Sequence, residues 1–351
     1  MSKIKVGISV GDLNGIGLEI IMKTFKDSRM LDFCTPVVFA SSKFTSAIRK
    51  VLNMQDFNFN VINNIKEANS NKTNLLNIWD EDIEVNFGKS SIISGQKAFE
   101  SLKKATDSLK NNEVDVLVTA PINKASIQQK ISSFIGHTEF LQGNFEGESL
   151  MIMVSDKMKI AFLTGHVSLI EVKRFVTIEN IINKTKNLNT SLVKDFGIRA
   201  PKIAILGLNP HAGENGLLGD EEEKIIIPAI QQLKENGILA FGPYPADSFF
   251  TNKNLGNFDG ILSMYHDQGL TAFKTLSFED GVNFTAGLNI VRTSPVHGTA
   301  YEISGKGFAD EKSFREAIFL SCDIYKKRIE FEQLNKDPLG FKSKINSKQA
   351  K

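Results

Sequence analysis

A chain of 351 residues, 41% hydrophobic and 23% charged, has the composition of a globular protein and is long enough for two α/β lobes. A formal net charge of +2 leaves no broad positive field for nucleic acid or anionic lipid, and no apolar run approaches the roughly 20 residues of a membrane span, so the expected partner is a small molecule and neither a nucleic acid nor a membrane. Two cysteines, Cys34 and Cys322, in no metal-like or redox-like spacing exclude a disulfide framework, and with a Met1–Lys5 start that lacks a secretory h-region they fit a cytoplasmic protein.

From the N-terminus, short β-branched runs alternate with segments of helical period: Ile4–Val10 then Leu18–Lys26, and Pro36–Ala40 then Thr45–Leu52. Residues 53–77 are rich in Asn and broken in pattern, and read as irregular structure around a strand. Val114–Thr119 followed by Lys124–Ile131 repeats the alternation. Leu150–Ser155, Lys159–Thr164, Lys202–Leu206 and Gly260–Tyr265 are further expected strands, separated by helices near Ile178–Val193 and Glu221–Asn236. After a helix near Ser313–Gln333, the Lys-rich end reads as a frayed tail. The alternation predicts βαβ units and a largely parallel sheet, with no internal repeat.

Gly11-Asp12-Leu13-Asn14-Gly15-Ile16-Gly17 follows a strand and precedes a helix, but its glycines miss the G-x-G-x-x-G order, so it reads as a tight strand-to-helix turn. Gly305-Lys306 is no phosphate loop, because Gly307 stands where Ser or Thr would hold Mg²⁺. Of the five histidines, His137, His166, His211 and His266 are expected where strands end in loops, the place where α/β proteins gather ligands. Neutral imidazoles there can bind a divalent ion and leave positions open for substrate; the ordinary alternative is a set of unrelated exposed histidines. Ser294–Gly307 is a small-residue loop carrying His297 and Glu302, suited to close backbone approach to a flat ligand.

The Ser294–Gly307 loop resembles the adenosine-binding loop of the isocitrate and isopropylmalate dehydrogenase superfamily, which holds NAD without the Rossmann fingerprint. The whole chain resembles the 4-hydroxythreonine-4-phosphate dehydrogenase family of that superfamily. The resemblance is carried in order by Gly11-Asp12…Gly15-Ile16-Gly17, Thr119–Lys124, Gly136-His137-Thr138-Glu139, Leu163–His166, Leu208–Glu214, Tyr265–Gly269 and the His297 loop, covering all but about the last twenty residues. Leu13-Asn14 and Leu18 depart from the Pro-Ala and Pro of the family's first loop, and Glu302 from the superfamily's usual Asp.

The resemblance implies a two-lobed α/β/α fold with mostly parallel sheets and an active-site cleft between the lobes. One lobe would be residues 1–125 with 300–338, the other 126–299 with the metal ligands and dimer contacts, and 339–351 a flexible tail. It implies a metal site of His166, His211 and His266 shared across a homodimer, holding Zn²⁺, Mg²⁺ or Co²⁺. Substrate contacts would be His137, Thr138, Lys274, Asn283 and Arg292. Cofactor contacts would be His297, Gly298, Thr299 and Glu302, with NAD favoured over NADP because an acid near the ribose repels a 2′-phosphate. Asp247 and Asp267 are candidates for proton handling or for orienting a ligand histidine. The implied reaction is metal-assisted oxidation of a phosphorylated hydroxy-amino acid followed by decarboxylation. The alternatives are a dehydrogenase of threonate or erythronate 4-phosphate and, from another class, a phosphate acyltransferase-like enzyme.

Overall fold

The computed structural model describes residues 3–336; the expected tail 339–351, and residues 337 and 338 of the first expected lobe, lie outside the described residues. One sheet of 12 strands runs through the molecule. In chain order the strands are β1 (Ile4–Ser9), β2 (Cys34–Ala40), β3 (Asn60–Ile62), β4 (Asn74–Asn77), β5 (Val116–Thr119), β6 (Gly147–Val154), β7 (Lys159–Phe162), β8 (Lys202–Leu206), β9 (Leu239–Tyr244), β10 (Gly260–Ser263), β11 (Val282–Leu288) and β12 (Arg292–Pro295). The helices used below are α1 (Gly17–Lys26), α2 (Ser42–Val51), α3 (Ile92–Lys110), α4 (Lys124–Gln128), α5 (His137–Gln142), α6 (Ile178–Lys194), α7 (Ile227–Glu235), α8 (His266–Ser277) and α9 (Lys312–Asn335).

The strand order β3-β4-β2-β1-β5-β12-β11-β6-β7-β10-β8-β9 contains two parallel blocks. β3 to β12 form one, and β7, β10, β8 and β9 the other. The pairings β12–β11, β11–β6 and β6–β7 are antiparallel. Three successive reversals make the two parallel blocks run in opposite directions. Their carboxyl ends therefore open toward opposite edges, and a ligand site drawing on both blocks must form over the central strands.

Strands inside a parallel block are covered on both faces, which is why β2 (Cys-Thr-Pro-Val-Val-Phe-Ala) is buried at every position instead of alternating. Cys34, at its start, is a free thiol buried beside Cys322 of α9; the neighbouring thiol and burial push its pKa up. The Asn-rich stretch holds two short strands at one end of the sheet, β3 at the edge and β4 beside it. Buried Asn74 stitches them, donating to the carbonyls of Pro36 and Asn69 and accepting from Asn69 N and Asn60 Nδ2, so backbone groups at the sheet edge keep partners.

Helix α3 has no counterpart in the sequence reading. Its buried residues are Ser94, Gly95, Ala98, Ser101, Leu102, Ala105, Thr106, Ser108 and Leu109, mostly small or hydroxyl-bearing, so it lacks a strong apolar period. Its packing depends on that smallness: a Cβ at Gly95 would stand 2.4 Å from the Ser126 carbonyl carbon of α4. Likewise β9, β11, β12, α5 and α8 emerge only in the fold.

Candidate active site

The strand-to-helix turn after β1 is tight, as its glycines suggest. Gly11 has φ +71°, and a Cβ there would lie 2.2 Å from the Pro121 carbonyl oxygen; a Cβ at Gly17 would lie 2.2 Å from that of Val10. Helix α3 fixes this turn through two hydroxyls. Ser101 Oγ accepts from Val10 N, and Ser94 Oγ accepts from Leu13 N and donates to the buried Asp12 carboxylate at 2.6 Å. The Ser294–Gly307 loop closes on the same turn: Ile16 N donates to the Thr299 carbonyl and Ser304 Oγ to that of Asn14. Tyr301 lies beside Asp12, and burial together with that carboxylate pushes its hydroxyl up to about 12.

Between this platform and the second parallel block lies a cavity of about 560 Å³. Five adjacent central strands, β5, β12, β11, β6 and β7, contribute to its wall, as do α4, α5 and the His297 loop. Arg292 is its most telling member. The side chain is buried and donates from Nε and Nη2 to Thr119 Oγ1 and from Nη1 to Thr285 Oγ1, neutral partners on the two flanking strands. Among the described residues no carboxylate lies within ion-pair distance, and burial pushes the guanidinium down from 12.5 to about 9, with Glu139 opposing from farther off. A buried cation held by hydroxyls alone is unfavourable unless an anion arrives to complete it.

His137 is the first residue of α5, not a residue at a strand end as expected, and it is a half-buried member of the same wall. Burial first, and then the charges of Arg292 and Lys124, hold its imidazole well below the ordinary histidine range, so it is neutral. Its Nε2 and the Oδ1 of Asn283 are buried without a protein partner. Thr138, Asn283, His297 and Gly298 line the cavity as well. Arg292, His137 and Asn283 thus leave polar groups turned toward a space sized for a small ligand.

His166, after β7, lies at the cavity wall, and the ring of His266, after β10, stands 5.3 Å from it between centroids. Thr164 Oγ1 donates to the Met264 carbonyl and Leu163 N to that of Ser263, tying their two loops together. Gln268 ties the His266 loop to the one after β8, accepting from Met264 N and donating to the Gly207 carbonyl. Burial, Lys124 and His266 lower the pKa of His166, favouring the neutral form that ligates metals. His266 Nδ1 lies 2.7 Å from Asp267 Oδ1 and His211 Nδ1 3.3 Å from Glu214 Oε2, which leaves Nε2 of each ring free. Carboxylate-oriented imidazoles with a free nitrogen suit a divalent metal.

The structure does not bring the third ring to the other two within one chain. Among the described residues no three His, Cys, Asp or Glu side chains form a group able to hold a metal. His211 is mostly exposed, in a stretch where His211, Ala212, Glu214 and Asn215 all have φ between 43° and 53°. Consecutive left-handed non-glycine residues are strained and persist only where their surroundings impose them. The imposing residue is buried Glu222, which accepts from the backbone N–H groups of Leu208 and Asn209 at 2.8 Å each and from Asn209 Nδ2 at 2.9 Å.

The remaining expected residues are spread more widely. Lys274 of α8 is not in the cavity wall, but its charge reaches His297, whose pKa burial lowers. Thr299 acts through its carbonyl on the first turn, and Glu302 is exposed on the following turn. Asp247 and Asp267 border a second depression with Tyr265 and Gln268, where Asp267 bonds the His266 ring. Sequence reasoning left Thr119, Lys124, Glu139, Lys184 and Glu222 without roles. Thr119, Lys124 and Glu139 lie in the segments that carry the family resemblance, where the charges of Lys124 and Glu139 were the available signal.

Comparison with known proteins follows the same lines. A family model described as pyridoxal phosphate biosynthetic protein PdxA matches residues 32–321. The 4-hydroxythreonine-4-phosphate dehydrogenase of Bacteroides thetaiotaomicron is 46% identical over 341 residues, covering 96% of this chain and 93% of that protein. An Oceanobacillus iheyensis protein named, provisionally, as a D-threonate 4-phosphate dehydrogenase is 38% identical, covering 91% of this chain and 97% of its own. The crystal structure of 4-hydroxythreonine-4-phosphate dehydrogenase from Klebsiella pneumoniae superposes with a TM-score of 0.78 at 32% identity, covering 93% of this chain and 98% of that one. No helix among the described residues is long and apolar enough to cross a membrane.

Proposed function

The chain belongs to the pyridoxal phosphate biosynthetic protein PdxA family, whose dehydrogenase activity implies a nicotinamide cofactor and a divalent metal, and from that premise we propose which reaction its cavity serves. The protein oxidises 4-(phosphooxy)-L-threonine to 2-amino-3-oxo-4-(phosphooxy)butanoate, which loses CO₂ to give 3-amino-2-oxopropyl phosphate. The observation that carries this reading is Arg292, a buried cation in the cavity wall without an acidic partner, beside the open polar atoms of His137 and Asn283. Such a set matches a small ligand with anionic groups.

In this reading Arg292 and Asn283 orient an anionic group of the substrate, while the neutral His137 and the hydroxyl of Thr138 complete its hydrogen bonds. Lys274, whose charge reaches His297, would offer a further cation. His166 and His266 of one chain, with His211 of a second, would hold the divalent ion, which when bound would lower the pKa of the substrate hydroxyl as a Lewis acid. Asp267 orients the His266 ring. His297, Gly298, Thr299 and Glu302 form the adenosine side of the nicotinamide site, NAD being favoured by the exposed acid.

A homodimer with a shared site is supported by the surface around His211. Leu169, Ile170 and Leu217 are each more than 70% exposed, and Leu169 and Leu218 border one depression with Tyr265 and Asn209. An apolar surface next to an incomplete ligand set suits a second copy. The rival substrates are threonate 4-phosphate, for which a relative covering nearly the whole chain is provisionally named, and its analogue erythronate 4-phosphate. Following NAD(P)H absorbance with each substrate and either nucleotide decides among them. Chelation with EDTA is expected to abolish turnover and added Zn²⁺, Co²⁺ or Mg²⁺ to restore it; full activity of a verified metal-free protein refutes the metal assignment.

A further inference from the structure

The proposed reaction has a proton balance that one residue can satisfy. Oxidation sends the hydride of the carbinol C–H to oxidised nicotinamide and the hydroxyl proton to a base. Breaking the bond to the carboxylate then releases CO₂ and leaves its electron pair on the neighbouring carbon, which must take up a proton. One proton leaves oxygen, one arrives at the adjacent carbon, and none is lost overall. A single cavity-lining group able to accept and return a proton, and not committed as a metal ligand, is therefore sufficient.

Glu139 meets that description. It is the one carboxylate in the cavity wall among the described residues. It lies in the first turn of α5, two residues after His137, and its charge acts on both Arg292 and His166. Lys124 acts on His137 and His166. The tips of Glu139 and Lys124 are close together over Gly136: a Cβ on that residue would lie 2.7 Å from Glu139 Oε2 and 3.1 Å from Lys124 Nζ. The bare backbone of Gly136 leaves room for both charged ends in the wall between Arg292 and His166.

The other ionisable groups in the wall fit the task less well. His166 is assigned to the metal. His137 has a buried Nε2 and two cations nearby, an environment that opposes forming an imidazolium, and His297 belongs to the nucleotide loop. Lys184 turns toward the Ser149 carbonyl at 3.5 Å.

Resting on the reaction assigned above, we propose that Glu139 is the proton-transfer residue: its carboxylate accepts the hydroxyl proton as hydride leaves and returns it to the adjacent carbon after CO₂ departs, with Lys124 as a positioning residue. The return leaves the carboxylate ready for the next turnover.

The test compares wild type, Glu139→Gln, Glu139→Asp and Glu139→Ala by steady-state kinetics, by calorimetric binding of 4-(phosphooxy)-L-threonine and by melting temperature. The expected result is a kcat reduced about 100- to 10,000-fold in the Gln and Ala variants, the usual range for losing a general acid–base group. KM, calorimetric affinity and melting temperature stay near the wild-type values, and Asp recovers part of kcat. Added formate, a free carboxylate, restores turnover to the Ala variant and not to the bulkier Gln variant. Unchanged kcat with a raised KM and weakened binding overturns the inference and makes Glu139 an ammonium contact. Loss of kcat without formate rescue, accompanied by a fallen melting temperature, also overturns it and makes the role structural. A wild type inert toward every phosphorylated hydroxy acid removes the underlying reading and the inference together, whereas an active wild type with undiminished variants removes the inference alone.

Discussion

Replacing Arg292 by Met removes the charge and keeps most of the bulk, and the structure sets the two effects against each other. Converted at about 1.4 kcal/mol per tenfold change in proton affinity, lowering the guanidinium from 12.5 to about 9 corresponds to an electrostatic cost on the order of 4–5 kcal/mol in the empty site. The substitution relieves that cost but strips Thr119 Oγ1 and Thr285 Oγ1 of their donor, a loss of about 1–3 kcal/mol for each buried hydroxyl. The two nearly cancel, so the ligand-free variant is expected to melt within a few degrees of wild type. Binding behaves differently, because the substrate anion then meets no buried cation. Truncating one partner of a buried charge pair costs about 2–5 kcal/mol, or roughly 30- to 5,000-fold in affinity. The assay is calorimetric titration with 4-(phosphooxy)-L-threonine beside thermal melting of the unliganded protein. A variant that binds the substrate as well as wild type but melts many degrees lower refutes the argument, since Arg292 would then be a structural strut. The arginine itself also has a pH signature: a depressed pKa in the folded state means its destabilising contribution is present below about pH 9 and is relieved as pH rises above it.

Three further outcomes follow from named contacts. The His137 imidazole is held below its ordinary pKa of 6.5, so the unfolded chain takes up a proton that the folded one resists; stability is lost as pH falls through and below 6.5, and His137→Asn is expected to flatten that loss in urea titrations at pH 7 and pH 5. Glu222→Ala frees the strained His211 turn from its anchor and is expected to weaken metal affinity about 10- to 100-fold, measured by competition with a chromophoric chelator; unchanged affinity argues that His211 is not a ligand. Asn74→Ala strands buried backbone groups at the sheet edge and is expected to lower unfolding free energy by about 2–4 kcal/mol in denaturant melts, far from any effect on substrate affinity.

Much of this protein could be read along the chain. The strands Ile4–Ser9 and Lys202–Leu206 and the helices Gly17–Lys26 and Ile178–Lys194 announce themselves by period, because each buries one apolar stripe or a continuous apolar run against its neighbours. The ordered motifs pointed to the family, since loop residues such as Gly11 and Gly17 are required by contacts as short as 2.2 Å and leave a mark in sequence. What the chain order could not convey is how distant segments combine. The opposed directions of the two parallel blocks need the β11–β6 pairing, between residues about 130 positions apart, as well as the local β12–β11 and β6–β7 reversals, and helix α3 hides its buried face behind serine and alanine. The cavity arises only there, where Arg292 of β12 meets Thr119 of the neighbouring β5 and where Glu139 and Lys124 share the space above Gly136. Charge in a linear sequence has no burial, and it is burial that makes Arg292 a cation in need of an anion and His137 a neutral ring.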